Sequence, residues 1–204
     1  MERKDFEAVL KEHEQTIEDM RLSAHELHQS VNQTYGGGLP YGYHLDMVAC
    51  NAAEHGHLVC ASQSDVMPLL FGAYYHDSIE DARQTYNDVM SRASQYMNDD
   101  QARIATEIVY ALTNDKGRTR AERAGEKYYA GIRATAFAPF VKLCDRMANV
   151  AFSCSDANPF NHRMKTVYGE EMDHFLEAID PHSGDQRFSV PASMVALLKE
   201  CLAD

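Results

Sequence analysis

An apolar segment that ends in four metal-competent side chains constrains this chain more than any other feature. The run Phe71-Gly-Ala-Tyr-Tyr-His-Asp-Ser-Ile-Glu-Asp81 continues from Met67-Pro-Leu-Leu70. A helix with no polar face belongs in the middle of a fold. This one delivers His76 and Asp77, then Glu80 and Asp81, to the end of a buried element. Such an end needs partners, because buried charge without a counter-charge or a metal is costly. Pro68 falls in the first turn, where its missing N–H costs little, and Ser64 or Asp65 stands ready to cap the start. The pattern predicts a helix from Met67 to about Asp77. Neighbouring residues share no helical face, but at a helix end His76 and Asp77 can converge on one ion.

Helical periodicity dominates the rest of the chain. Phe6, Val9, Leu10, Ile17, Met20, Leu22, Leu27 and Val31 predict one broken helix or two over 3–32. Gly36-Gly-Gly-Leu-Pro40 forms a loop, and helices follow near 42–58, 100–113, 121–134, 136–152, 160–178 and 191–202, with a short section over 78–96. No alternating β-rich stretch and no internal repeat interrupts them. The expectation is an all-α domain: residues 1–180 as the body, and 181–204 as a linker with a C-terminal helix docked on it. With 204 residues the chain is long enough for one substantial core.

Composition narrows the function classes. A formal charge of −12 argues against a polymeric nucleic-acid partner, which wants a basic stripe. A small anion stays compatible, since a metal and a few convergent cations reverse the local field. No apolar run is long enough to span a bilayer, and Met1-Glu-Arg-Lys-Asp-Phe-Glu7 lacks the apolar core of a signal peptide. The five cysteines are widely spaced and form no CxxC pair, which fits reduced thiols. The expected setting is cytoplasmic, without a membrane partner; a homo-oligomer stays open.

Two further segments carry site chemistry. His44 follows Leu39-Pro-Tyr-Gly-Tyr43, a tight loop feeding a helix. Asp145 lies in Val141-Lys-Leu-Cys-Asp-Arg-Met-Ala-Asn149, with Asn149 four residues on and facing the same way. Imidazole with carboxylates suits Mn²⁺, Fe²⁺ or Zn²⁺. Other histidines read as structural or surface groups: His25 and His28, three apart with no third ligand, and His55 and His57 around Gly56. Lys116, Arg118 and Arg120 read as a charged surface loop.

The order His44, His76-Asp77, Asp145 resembles the metal set of the HD-domain phosphohydrolases. Within them it is most similar to the hydrolase domain of the RelA/SpoT proteins and to the small Mesh1-like alarmone hydrolases. Pro40-Tyr-Gly-Tyr-His44, the Phe71–Asp81 run, Leu112-Thr-Asn-Asp-Lys116 and the Val141–Asn149 helix carry the resemblance, with Arg163-Met-Lys-Thr-Val-Tyr-Gly-Glu170 as a later match. Together they cover roughly residues 20–178. The resemblance implies an HD-type helical fold with one Mn²⁺, Fe²⁺ or Zn²⁺ being alternatives, bound by His44, His76, Asp77 and Asp145. It implies removal of the 3′-pyrophosphate from guanosine tetra- or pentaphosphate, giving GDP or GTP and pyrophosphate. Glu80 would orient or activate water, with Asp81 beside it; should the helix run past Asp77, Glu80 shares the face of His76. Asn149 suits ribose or phosphate. Arg146 and Lys142 either neutralise phosphate or pair with acids. Tyr168 would contact the nucleotide, while Tyr41 and Tyr43 either line the pocket or cover the loop.

This chain departs from the family pattern in three places. Leu45 stands where proline usually follows the first histidine, Cys144 replaces a common alanine, and Val31-Asn-Gln-Thr-Tyr35 holds no cation where basic residues usually meet phosphates. Alternatives are therefore a hydrolase of an adenine alarmone, a 5′-nucleotidase acting on deoxynucleoside monophosphates, and a non-catalytic nucleotide-binding regulator. The first two differ in product: pyrophosphate against orthophosphate.

Overall fold

The apolar run forms a helix, α4 (Val66–Tyr75), and every one of its residues is buried. Around it, in a computed structural model that describes residues 1–114, 119, 122, 124–155 and 162–203, the chain is mostly helical. Lys116, Arg118 and Arg120 lie outside the described residues. Before α4 come α1 (Arg3–Glu12), α2 (Glu14–Ser30) and α3 (Gly42–His55); after it, α5 (Tyr86–Ala93), α6 (Asp99–Leu112), α7 (Glu126–Ala134), α8 (Ala138–Cys154), α9 (His162–Ile179) and α10 (Ala192–Ala203).

The centre of the fold is the junction of α3, α4 and α8, with α6 along the other side of α4. Leu45 and Val48 from α3, Leu69, Leu70 and Phe71 from α4, and Phe140, Val141 and Leu143 from α8 are essentially inaccessible to solvent. Gly72 permits the close approach of α6: a Cβ there would stand 2.6 Å from Cγ2 of Ile108. The ends of α3 and α4 thus meet the middle of α8 at one point, and the candidate ligands stand on those three helices.

Four local expectations change. The apolar helix ends at Tyr75, with His76 as its cap, and residues 76–81 form turns; the α-helix does not continue past Asp77. Asp65 occupies the N-cap position without capping α4, because its carboxylate accepts from the backbone N–H groups of Ala61 and Ser62 and closes the preceding 3₁₀ turn. The glycine loop contains a minimal antiparallel pair, β1 (Thr34–Tyr35) with β2 (Leu39–Pro40), registered Thr34↔Pro40 and Tyr35↔Leu39. Gly36, Gly37 and Gly38 take positive φ (53°, 91°, 136°), which reverses the chain within three residues. The helix carrying Asp145 starts at Ala138: Phe137, at φ 67°, breaks the path from α7 and donates its N–H to the Arg187 carbonyl.

The C-terminal segment packs on the body. Met194 and Leu198 of α10 are buried, α10 lies against α8, and Gln186 donates to the Cys60 carbonyl at 2.6 Å. No described helix is long and apolar enough to cross a membrane. All five cysteines are free thiols.

Candidate metal centre and its cavity

His44 sits in the first turn of α3, His76 at the end of α4, and Asp145 near the middle of α8. Each turns one ligand atom toward a common point, and these atoms lie within 4.8 Å of one another. His44 Nε2 is 3.3 Å from Asp145 Oδ1, and His76 Nε2 is 3.9 Å from the same oxygen. Asp77 borders the group: its Oδ2 is 2.9 Å from His76 Nε2 and 3.8 Å from His44 Nε2. Both imidazoles are buried, and the carboxylates are only 20% (Asp77) and 13% (Asp145) exposed.

The surroundings orient these ligands. His76 Nδ1 lies 2.9 Å from the Ala73 carbonyl; a carbonyl only accepts, so Nδ1 carries the proton there. Nε2 is then left facing the cluster, buried and without a hydrogen-bond partner, since its approach to Asp77 is close but not aligned as one. An orphaned buried nitrogen is costly unless something satisfies it. Two imidazoles and an oxygen donor, with the second ring nitrogen of His76 tied to a carbonyl, make a donor set that fits a transition-type divalent cation.

A second layer fixes the carboxylates. Asp145 accepts from Lys142 Nζ at 2.9 Å on Oδ2 and from Asn149 Nδ2 at 2.6 Å on Oδ1. The Tyr41 hydroxyl hydrogen-bonds Asp77 Oδ2 and also reaches Asp81 Oδ2 at 3.3 Å, while Gln33 donates to that same Asp81 oxygen. Tyr41 stacks on the buried His28 ring at 4.6 Å. Glu80 points elsewhere: it is exposed, and its carboxylate is gripped by the Asn114 side-chain and backbone N–H groups.

Charge proximity shifts the titrating groups. Burial alone would lower the His76 pKa, but the adjacent Asp77 and Asp145 charges outweigh it and push the value up to about 9. Burial would raise Asp77, yet His76 at 2.9 Å holds it well below the usual carboxylate range. Asp145 is likewise lowered against its burial, chiefly by the Lys142 ammonium. Asp81 goes the other way, up to about 6, through burial and then the charges of Asp77 and Glu80. His28 is pushed down to about 4 by burial.

A cavity of about 570 Å³ opens beside Asp145. Of the residues expected near substrate, Glu80, Lys142, Arg146, Asn149 and Tyr168 stand in its walls; Asn114, Tyr128, Glu171 and Phe175 join them. Arg146 lies over the Tyr168 and Phe175 rings at 4.8 and 4.2 Å and pairs with Glu171 at 3.2 Å. Tyr41 is not one of the walls: it is buried, its hydroxyl taken by carboxylates. Tyr43 is 44% exposed.

Sequence reasoning gave no role to Gln33, Tyr35 and Asn114, which hold Asp81, His44 and Glu80 in place, whereas His28, read as structural, stacks on Tyr41. One signal was available for the first two: both precede a triple glycine, and a reversal there folds them back toward His44.

No protein-family profile and no curated protein matches this chain.

Proposed function

We propose that this protein is an HD-type, divalent-cation-dependent phosphohydrolase that removes pyrophosphate from the 3′ position of guanosine tetra- or pentaphosphate. One observation carries the reading. His44, His76 and Asp145 turn buried ligand atoms toward one point, with His76 Nε2 in no aligned hydrogen bond, and Asp145 also lines a cavity whose walls carry Lys142 and Arg146, the acids Glu80 and Glu171, and aromatic rings. His44, His76 and Asp145, with Asp77 Oδ2 beside both imidazoles, would hold the cation, Mn²⁺ by the resemblance. When bound, such an ion polarises a phosphoryl oxygen and acidifies water.

The chain's own residues then divide the remaining work. Arg146 and Lys142 offset phosphate charge from the cavity wall, although each already faces an acid, Glu171 and Asp145. Tyr168 supplies an aromatic face. Glu80 is a carboxylate on the cavity wall, held in one orientation by Asn114 and paired with no cation among the described residues, and would accept a proton from a water near the phosphorus. Asp81, joined to Asp77 through Tyr41 and pushed up to about 6, accepts from Tyr41 and Gln33 within the same network. A small nucleotide is the partner this implies, in a cytoplasmic setting.

A second reading, a hydrolase of a less phosphorylated nucleotide such as a deoxynucleoside 5′-monophosphate, is favoured by a separate observation. Gln33 and Tyr35 occupy the stretch where cations would meet extra phosphates, and both are committed, to Asp81 and Asn149. Incubation with Mn²⁺ and ppGpp, pppGpp, ppApp or deoxynucleoside monophosphates, with products separated, decides between them. Pyrophosphate released from a 3′-pyrophosphorylated nucleotide is the expected result. A higher kcat/KM for orthophosphate release from a monophosphate would select the second reading.

A further inference from the structure

We propose that Tyr35 is a positioning residue that locks two metal ligands into register, His44 by ring stacking and Asp145 through Asn149, and thereby sets the cation affinity of the centre. The inference rests on the metal centre but not on the identity of any nucleotide substrate. The Tyr35 ring lies parallel to the His44 imidazole, 4.8 Å between centroids and 20° between planes. Phe152 backs it at 4.6 Å, and Tyr41 meets it edge-on at 6.2 Å. The imidazole cannot rotate away from its ligand position without losing that stack.

The hydroxyl end does a second job. Tyr35 donates to Asn149 Oδ1 at 3.0 Å. Asn149 Nδ2 donates to the Asp145 carbonyl at 3.0 Å and to Asp145 Oδ1 at 2.6 Å. Both acceptors lack a proton to give, so the amide nitrogen must face them and the amide oxygen must face the phenol. The donor chain Tyr35→Asn149→Asp145 therefore has one direction, and it ends on the oxygen that lies 3.3 Å from His44 Nε2. One side chain steadies ligands that are about a hundred residues apart in sequence.

The backbone holds Tyr35 in that place. Tyr35 pairs with Leu39 across the glycine turn, and its carbonyl accepts from Gly38 N at 3.2 Å. The three left-handed glycines make this reversal tight enough to set a phenol over the entrance of α3. A mere covering residue would need the ring alone; the aligned hydroxyl is what separates the two roles.

Metal-free protein titrated with Co²⁺, followed by visible absorption, and with Mn²⁺, followed by calorimetry, tests this without any substrate. Tyr35→Phe keeps the ring and its packing. It should weaken both cations, by at most the roughly 10–100-fold that losing a direct outer partner of a ligand costs, and alter the Co²⁺ spectrum. Asn149→Ala should do the same, and the double variant should be no weaker than Asn149→Ala alone, because the two act in one chain. Tyr35→Leu, which also removes the stack on His44, should bind more weakly than Tyr35→Phe. Wild-type affinity and an unchanged Co²⁺ spectrum in Tyr35→Phe would overturn the inference and leave the metal centre intact. A wild-type protein that takes up neither cation would overturn both.

Discussion

Replacing Asp145 by Asn should damage the fold as well as the metal centre, and the two effects can be pulled apart. Lys142 Nζ lies 2.9 Å from Asp145 Oδ2, with side-chain exposures of only 18% and 13%. The substitution leaves the ammonium buried without its nearest counter-charge. Breaking a buried ion pair from one side costs about 3–5 kcal/mol, and the residual exposure of Lys142 points to the lower end, about 3 kcal/mol. For a chain of this size that is a fall of about 6–12 °C in Tm. Adding Lys142→Met removes the orphaned charge and should restore most of the lost stability, since an apolar replacement of a buried pair is often neutral or better. Urea unfolding followed by circular dichroism, with chelator present, measures both variants free of metal. Neither should bind Mn²⁺. A loss below about 1 kcal/mol in Asp145→Asn, or no recovery in the double variant, would refute the claim that Lys142 depends on Asp145, since exposed pairs alone are worth that little.

Three other outcomes follow from the same geometry. Glu80→Gln should retain the bound cation and lower kcat by about 10²–10⁴, the scale of a lost acid–base group, whereas an effect confined to KM would assign Glu80 to substrate positioning. His76 titrates near 9 in the metal-free protein and must lose its proton to become a ligand, so Mn²⁺ affinity should rise about tenfold per pH unit from pH 6 toward 9 and then level off; a flat profile by calorimetry would remove His76 from the ligand set. His28, buried and pushed down from 6.5 to about 4, stays neutral in the folded state while the unfolded chain takes up its proton. Its contribution is therefore present above about pH 6.5 and lost as pH falls toward 4, so wild type should lose about 3 kcal/mol more than His28→Phe across that window, as read from urea unfolding at each pH.

Much of the helical framework was legible because burial imposes a period. The all-apolar 66–75 run had to be central, and His44, His76 and Asp145 stood out as polar interruptions of buried helices. Tertiary competition was not legible. Asp65 looks like a cap for α4, but its carboxylate is drawn back to two free N–H groups upstream. The helix end at Tyr75 follows from no helix breaker in Phe71–Asp77. It separates Glu80, which Asn114 captures, from Asp81, which Gln33 and Tyr41 capture. Asn149 reads as a substrate contact by type, yet its amide is already committed to Tyr35 and Asp145. Tyr35 offers no periodic signal at all, and its partner Asn149 is 114 residues away.

The central claim is that His44, His76 and Asp145 hold one divalent cation. Crystals of protein purified without chelator and grown with Mn²⁺, with diffraction recorded on the low-energy side of the manganese edge and again above it, test it most directly. The account predicts a single strong anomalous peak, present only above the edge, about 2.0–2.6 Å from the two Nε2 atoms and Asp145 Oδ1. A peak away from all three residues, or none at millimolar Mn²⁺, would contradict it.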